Sequence, residues 1–130
     1  MTPALQTIRF GAVGLLNTAI GLCAIYGCMF AFGLGPEASN FLGYAIGLSV
    51  SFFLNRSWTF QSSAKIGTSA PRYALVVALA YLVNLAIVSA SAHHGMTPWL
   101  AQICGVTPYA VLVFMGCRFY VFRDATPGNA

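Results

Sequence analysis

The sequence predicts an all-α membrane protein with four transmembrane helices, arranged as two tandem helical hairpins of the same orientation. Three observations carry that expectation. Hydrophobic residues make up 58% of the 130 and charged residues only 6%, against about 25% charged in an ordinary soluble domain. So small a soluble chain has too much surface to cover with so few charges, and the mean hydropathy of +0.78 agrees that lipid is the solvent. Second, lipid requires every backbone N–H and C=O to be satisfied within the fold, which leaves helices or a closed barrel. The apolar runs here are continuous rather than alternating, which selects helices. Third, one pattern occurs twice, 62 positions apart: Phe52-Phe53-Leu54-Asn55-Arg56-Ser57-Trp58-Thr59-Phe60 and Phe114-Met115-Gly116-Cys117-Arg118-Phe119-Tyr120-Val121-Phe122. At the same offset Gly33, Pro36 and Gly43 match Gly95, Pro98 and Gly105, and Asn40 aligns with Gln102.

The elements follow in order. The first apolar run, Phe10 to about Phe32, exceeds a signal-peptide core of roughly 7–15 residues and has no cleavage site after it, so a retained helix is expected. The turn Gly33-Leu34-Gly35-Pro36-Glu37 ends it. Helix two runs from about Ala38 to Asn55, and a polar Ser/Thr loop with Lys65 covers 61–71. Helix three runs from about Tyr73 to Ala92, ended by the turn His93-His94-Gly95-Met96-Thr97-Pro98, and helix four from about Trp99 to Cys117. Each span of about 18–23 residues is long enough to cross a bilayer core.

Orientation comes from the basic residues. Arg9 precedes helix one, Arg56, Lys65 and Arg72 flank the central loop, and Arg118 and Arg123 follow helix four, while the two short turns hold no Lys or Arg. By the positive-inside rule both termini and the central loop are cytosolic. The expected organisation is a single integral membrane domain over 1–130: repeat one at 9–60, the cytosolic loop at 61–71, repeat two at 72–122 and a short tail at 123–130. Each repeat has an even number of helices, so both keep one orientation, unlike inverted transporter repeats. The match weakens in the first helix of each pair, where Arg9-Phe10 and Arg72-Tyr73 are offset by 63 and Asn17 has no counterpart.

Helix two carries a small or polar residue at every fourth position, Gly43, Gly47, Ser51 and Asn55, with Asn40 opening the stripe. Helix one carries Gly11, Gly14, Thr18 and Gly21. Such faces let helices approach closely in lipid, for packing within the chain or as the seam of a homodimer or a groove for a lipid chain. Pro108 sits near the middle of helix four and predicts a kink.

Arg56 and Arg118 are the central candidates for function. Arginine keeps its charge at physiological pH and presents a donor fork suited to phosphate. Asn55 beside Arg56, and Trp58 and Tyr120 beyond the arginines, are expected to contact the phosphate or an attached sugar; the plain alternative is that all are interfacial anchors. Asn17 and Asn84 are amides within the spans and serve as helix–helix glue or as ligand contacts. The candidate ligand-binding set is Arg56, Asn55, Trp58, Arg118, Tyr120, Asn17 and Asn40; the packing or dimer set is Gly43, Gly47, Ser51 and Gly14.

Several classes are excluded. Six basic residues spread along the chain form no nucleic-acid patch. Cys23, Cys28, Cys104 and Cys117 sit within apolar runs, fit no zinc spacing and read as small packing residues. No nucleophile has a neighbouring base, and no glycine loop cradles a phosphate, so neither an enzyme nor a cofactor is expected. No span holds a carboxylate, since Glu37 lies in a turn and Asp124 in the tail, which argues against a proton- or sodium-coupled carrier. No ring of charge suits an ion channel. His93 and His94 read as members of a solvated turn.

On these residues the chain resembles the GtrA-like family of small bacterial membrane proteins. The resemblance runs from Arg9 to Phe122, and its carriers are Arg9-Phe10 with Gly14 and Asn17, the motif Phe52 to Phe60, Arg72-Tyr73, and Arg118 to Phe122. The second motif departs from the family pattern, with Gly116-Cys117 where an Asn-Phe or similar pair is usual. The resemblance implies movement of a polyprenyl-phosphate-linked monosaccharide from the cytosolic to the outer leaflet of the bacterial inner membrane, for modification of an envelope polysaccharide. It also implies a membrane glycosyltransferase as partner, which loads the lipid. The competing expectation is a non-transporting subunit that binds and positions that glycosyltransferase.

Overall fold

The structure, a computed structural model, describes residues 2–123. Asp124 and the rest of the expected tail beyond Arg123 lie outside the described residues. The described chain is helical, with α1 over Pro3–Phe30, α2 over Pro36–Leu54, α3 over Ile66–His93 and α4 over Pro98–Gly116. It divides into two compact units, Met1–Gln61 and Ser62–Ala130. In the first, α1 packs along α2; in the second, α3 packs along α4.

Local chemistry sets the helix ends. Proline opens α1, α2 and α4, where a missing N–H costs nothing. Thr2 Oγ1 accepts from the Leu5 N–H at 3.3 Å and caps α1. That Thr-Pro start places the beginning of α1 seven residues ahead of the apolar run. Glycines with positive φ end the first helix of each unit, Gly33 at +66° and Gly95 at +82°. After α3 the Gly95 and Met96 N–H groups bond the carbonyls of Ala92 and Ser91, both at 3.0 Å, a Schellman closure.

The stretch predicted as a polar loop is shorter than expected, because α3 begins at Ile66 and runs through Pro71. Ser69 Oγ donates to the Lys65 carbonyl at 2.8 Å and holds the first turn together. Proline lacks an N–H, so the helix gives up the bond that residue 71 would make to Gly67. Likewise α4 continues through Pro108.

Three helices are long and apolar enough to cross a membrane: Pro3–Phe30, Ile66–His93, and Pro98–Val121, which is α4 with the turn that follows it. The helix absent from that set, α2, carries Glu37, Ser39, Asn40, Ser49 and Ser51 among its 19 residues. Its reduced hydropathy comes partly from Ser39 and Ser51, which it buries along with Gly43 and Gly47.

The helix pairs meet at glycine. A Cβ on Gly43 would strike Ile25 and lie 3.1 Å from the Gly21 carbonyl oxygen. A Cβ on Gly105 would lie 2.7 Å from both Asn84 Nδ2 and Val88 Cγ2, and 3.2 Å from the Asn84 carbonyl oxygen. Gly21 and Asn84 are 63 positions apart, as are Ile25 and Val88, so each unit builds its crossing from corresponding residues. Gly14 and Gly11 stand apart from this contact, with open space where a Cβ would go.

Alanine substitutions should therefore split by sign. Gly43→Ala and Gly105→Ala are each expected to lower stability by about 1–3 kcal/mol through overpacking against backbone. Gly14→Ala is expected to be neutral or stabilising by up to about 1 kcal/mol, from helix propensity alone. Denaturant unfolding in detergent micelles would measure all three.

Candidate functional site

The motif that occurs twice in the sequence forms the same unusual turn twice. After Leu54 the chain continues for five residues, Asn55–Thr59, as a π-helix. After Gly116 it does so again over Cys117–Val121. The closing bonds are Phe60 N–H to the Asn55 carbonyl at 2.8 Å and Phe122 N–H to the Cys117 carbonyl at 2.9 Å, each spanning five residues. Such widened turns are rare and cluster at functional sites. Arg56 occupies the first and Arg118 the second.

A helix that stops leaves its last carbonyls without donors. In each unit an arginine from the start of the opening helix satisfies one of them. Arg9 Nη1 donates to the Trp58 carbonyl at 2.9 Å, and its guanidinium lies 5.0 Å from the Trp58 ring centroid. Arg72 Nη1 donates to the Tyr120 carbonyl at 3.3 Å, and its guanidinium lies 5.0 Å from the Tyr120 ring centroid. Each pair combines a charge-assisted hydrogen bond, a cation–π contact and a cation at the negative end of a helix. Arg9 and Arg72, which the sequence offers as orientation signals and as part of the family pattern, thus fasten the first helix of each unit to its last turn. Their offset of 63, repeated in the aromatic that follows each, was the available signal.

The structure distributes the predicted site residues unevenly. Arg56 is half-buried in the first π-turn, and Arg118 is half-buried with its guanidinium 5.4 Å from the Phe119 ring centroid. Trp58 and Tyr120 stay partly exposed while an arginine covers a ring face of each. Asn55 is buried, and its Nδ2 donates to Ser51 Oγ at 3.1 Å. Asn17 faces Gly47, with Oδ1 2.7 Å from where a Cβ would sit. Asn40 is exposed; the residue that opens the buried stripe is Ser39, one position earlier, and the stripe runs on through Thr59. Strict four-residue spacing counted back from Gly43 points to Ser39. Cys117 is buried, whereas Cys23 and Cys104 are exposed and all four thiols are free. Among the described residues no three His, Cys, Asp or Glu side chains gather as a metal site.

Five buried side-chain atoms among the described residues lack a hydrogen-bond partner: Gln6 Oε1, Asn17 Oδ1, Ser39 Oγ, Asn55 Oδ1 and Thr59 Oγ1. All are oxygens and all belong to the first unit. Each such atom costs about 1–3 kcal/mol in a folded protein.

The family model for the GtrA/DPMS transmembrane domain matches residues 9–122. The chain is 28% identical over 128 residues to the bactoprenol-linked glucose translocase of Shigella phage SfV, covering 91% of this chain and 95% of that protein. It is 30% identical over 127 residues to the protein of the same name from Shigella phage SfX, covering 90% and 94%. It is 27% identical over 117 residues to a prophage bactoprenol-linked glucose translocase homolog of Escherichia coli K12, covering 90% and 94%.

Replacing Arg9 removes both its bond and its stack. Arg9→Gln is expected to lower stability by about 1–3 kcal/mol and to shift the emission of Trp58, measured in a Trp99→Phe background. Arg9→Lys, which keeps charge but not the planar fork, should give an intermediate shift.

Proposed function

This chain belongs to the GtrA/DPMS transmembrane-domain family, and we propose that it moves a polyprenyl-phosphate-linked monosaccharide from the cytosolic to the outer leaflet of a bacterial inner membrane. The sugar then modifies an envelope polysaccharide. The observation that carries this reading is the pair of π-turns, each presenting an arginine at a helix end, in a chain whose relatives bear the name of bactoprenol-linked glucose translocases. The task is transport: no bond is made or broken, and no cofactor is required.

In this reading all four helices span the membrane as two tandem hairpins forming a single membrane domain. The 19 residues of α2 rise about 28 Å at 1.5 Å each, close to the hydrocarbon thickness. Arg9, Arg56, Lys65, Arg72, Arg118 and Arg123 then fall on one side, which the positive-inside rule makes cytosolic. The lipid phosphate is therefore met where it is made. Arg56 captures it by its guanidinium fork, with Arg118 as the second cation. Trp58, covered by the Arg9 guanidinium, borders the head group, as Tyr120 does in the second unit. The partners are the membrane glycosyltransferase that loads the lipid and a second copy of the chain, for which the open face at Gly11 and Gly14 offers close approach.

The test is transfer of a short-chain polyprenyl-phosphate hexose across proteoliposomes that hold only this protein. Arg56→Ala is expected to lower transfer on the order of a hundredfold, the effect of removing one member of a desolvated charge pair, while inserting normally. Arg56→Lys should retain part of the activity. Normal transfer by stably inserted Arg56→Ala protein would overturn the site. Transfer that appears only when the glycosyltransferase is added would reassign the activity to the complex.

A further inference from the structure

The two units share a backbone plan but differ in what they bury. Along the second helix and turn of unit one, Ser39, Ser51, Asn55 and Thr59 are buried; 62 positions on stand Ala101, Val113, Cys117 and Val121, also buried. In the opening helix Asn17 lies 63 positions before the buried Ala80. Every polar member of the first seam is thus replaced by a less polar residue of the second. The partnerless oxygens follow the same division. All five belong to unit one and, among the described residues, no such atom belongs to unit two; Asn17 Oδ1, Ser39 Oγ, Asn55 Oδ1 and Thr59 Oγ1 lie along this seam, and Gln6 Oε1 lies near the start of α1.

Packing alone does not account for the difference at these matched positions, because the second unit fills them with Ala, Val and Cys; its own amide, Asn84, stands instead at the position of Gly21. Other hydroxyls in the helices are satisfied locally: Thr18 Oγ1 donates to the Gly14 carbonyl at 3.0 Å, Ser49 Oγ to Ala45 at 2.8 Å and Thr107 Oγ1 to Ile103 at 2.9 Å. The unmet atoms are of one kind. An amide oxygen only accepts, and a hydroxyl oxygen accepts as well as donates. The ligand complementary to a row of such oxygens is a donor-rich, uncharged group, which is what sugar hydroxyls present. A phosphate, which only accepts, suits Arg56; it can take the Ser39 and Thr59 hydroxyls but cannot bond the amide oxygens Asn17 Oδ1 and Asn55 Oδ1, which need a donor such as a sugar hydroxyl.

We infer that the α1–α2 seam of the first unit is the sugar-recognition track, in which Asn17 Oδ1, Asn55 Oδ1, Ser39 and Thr59 accept the hydroxyls of a lipid-linked hexose, and that the matched seam of the second unit does not recognise sugar. The inference rests on the transport reading for the identity of the ligand. The seam is closed in this structure, and the head group reaches these oxygens when α1 and α2 part. The two helices meet at Gly21, at Gly43 against Ile25 and at Gly47 against Asn17, and in lipid such a contact is held by van der Waals packing and hydrogen bonds rather than by apolar burial.

The deciding measurement compares two probes, a short-chain polyprenyl-phosphate hexose and the same lipid phosphate without sugar, binding to the whole protein in nanodiscs. The wild type should prefer the hexose on the order of tenfold, the yield of one or two hydrogen bonds. Asn17→Ala with Thr59→Val, which installs the second unit's residues, should abolish that preference and leave binding of the sugar-free lipid unchanged. The double variant should be as stable as the wild type or more so, because unmet polar atoms are removed. Val121→Ala in the second unit should keep the preference. Equal binding of both probes by the wild type, or a preference that survives in the double variant, overturns the inference. A double variant that unfolds more readily and loses both probes together also overturns it, since the residues would then be structural. The transport reading fails separately, if the wild type prefers the hexose lipid but does not carry it across proteoliposomes.

Discussion

A polar atom in hydrocarbon has no water to turn to, and the rest of this structure follows from which of them find a partner within the chain and which do not. Within the helices the answer is local, as where Thr18, Ser49 and Thr107 return their hydroxyls to carbonyls of the preceding turn. At the helix ends it is long-range. The Trp58 and Tyr120 carbonyls have passed the last donors of their own turns, and Arg9 and Arg72 supply the missing N–H from the start of the opening helix. The same guanidinium covers the aromatic ring below it, so one side chain satisfies a carbonyl, shields a ring and opposes a helix dipole. The π-turns then set Arg56 and Arg118 at these fastened ends.

The two units share local backbone geometry and differ in polarity. Gly43 against Gly21 and Ile25, and Gly105 against Asn84 and Val88, are the same crossing made twice, because only glycine admits carbonyl oxygens that close. Around that crossing, polar side chains of the first unit stand where the second has less polar ones, and within the first unit Asn55 Nδ2 donates to Ser51 Oγ along the seam. Asn84 lies where the first unit has Gly21, so the amides of the two units occupy different depths of the same scaffold.

Much of the architecture was legible in the sequence. Helical structure, the positions of the turns and the repeat followed from low charge, continuous apolar runs and the recurrence of an arginine, an aromatic and a phenylalanine. The ends of α1 and α3 were less legible. The Thr2-Pro3 start lies ahead of the apolar run, and Pro71 resembles a boundary although α3 crosses it. The π-turns were not legible, because one extra residue in a helical turn leaves no mark on periodicity over five positions. A three-residue step back from Gly43 points to Asn40 as the start of the buried stripe, whereas the four-residue step that the stripe keeps leads to Ser39. The roles of Arg9 and Arg72 were hidden by their suitability as topology signals, since a cation near a helix start meets both needs.

The arginine fastenings have a consequence for how the chain is made. Arg9 reaches Trp58, and Arg72 reaches Tyr120, each within its own unit. The bond and ring contact that fasten the first unit use no residue beyond Gln61, so both of their ends leave the ribosome ahead of α3. A gene segment with that property is suited to tandem copying, since an added copy brings its own means of closing and asks nothing of the first.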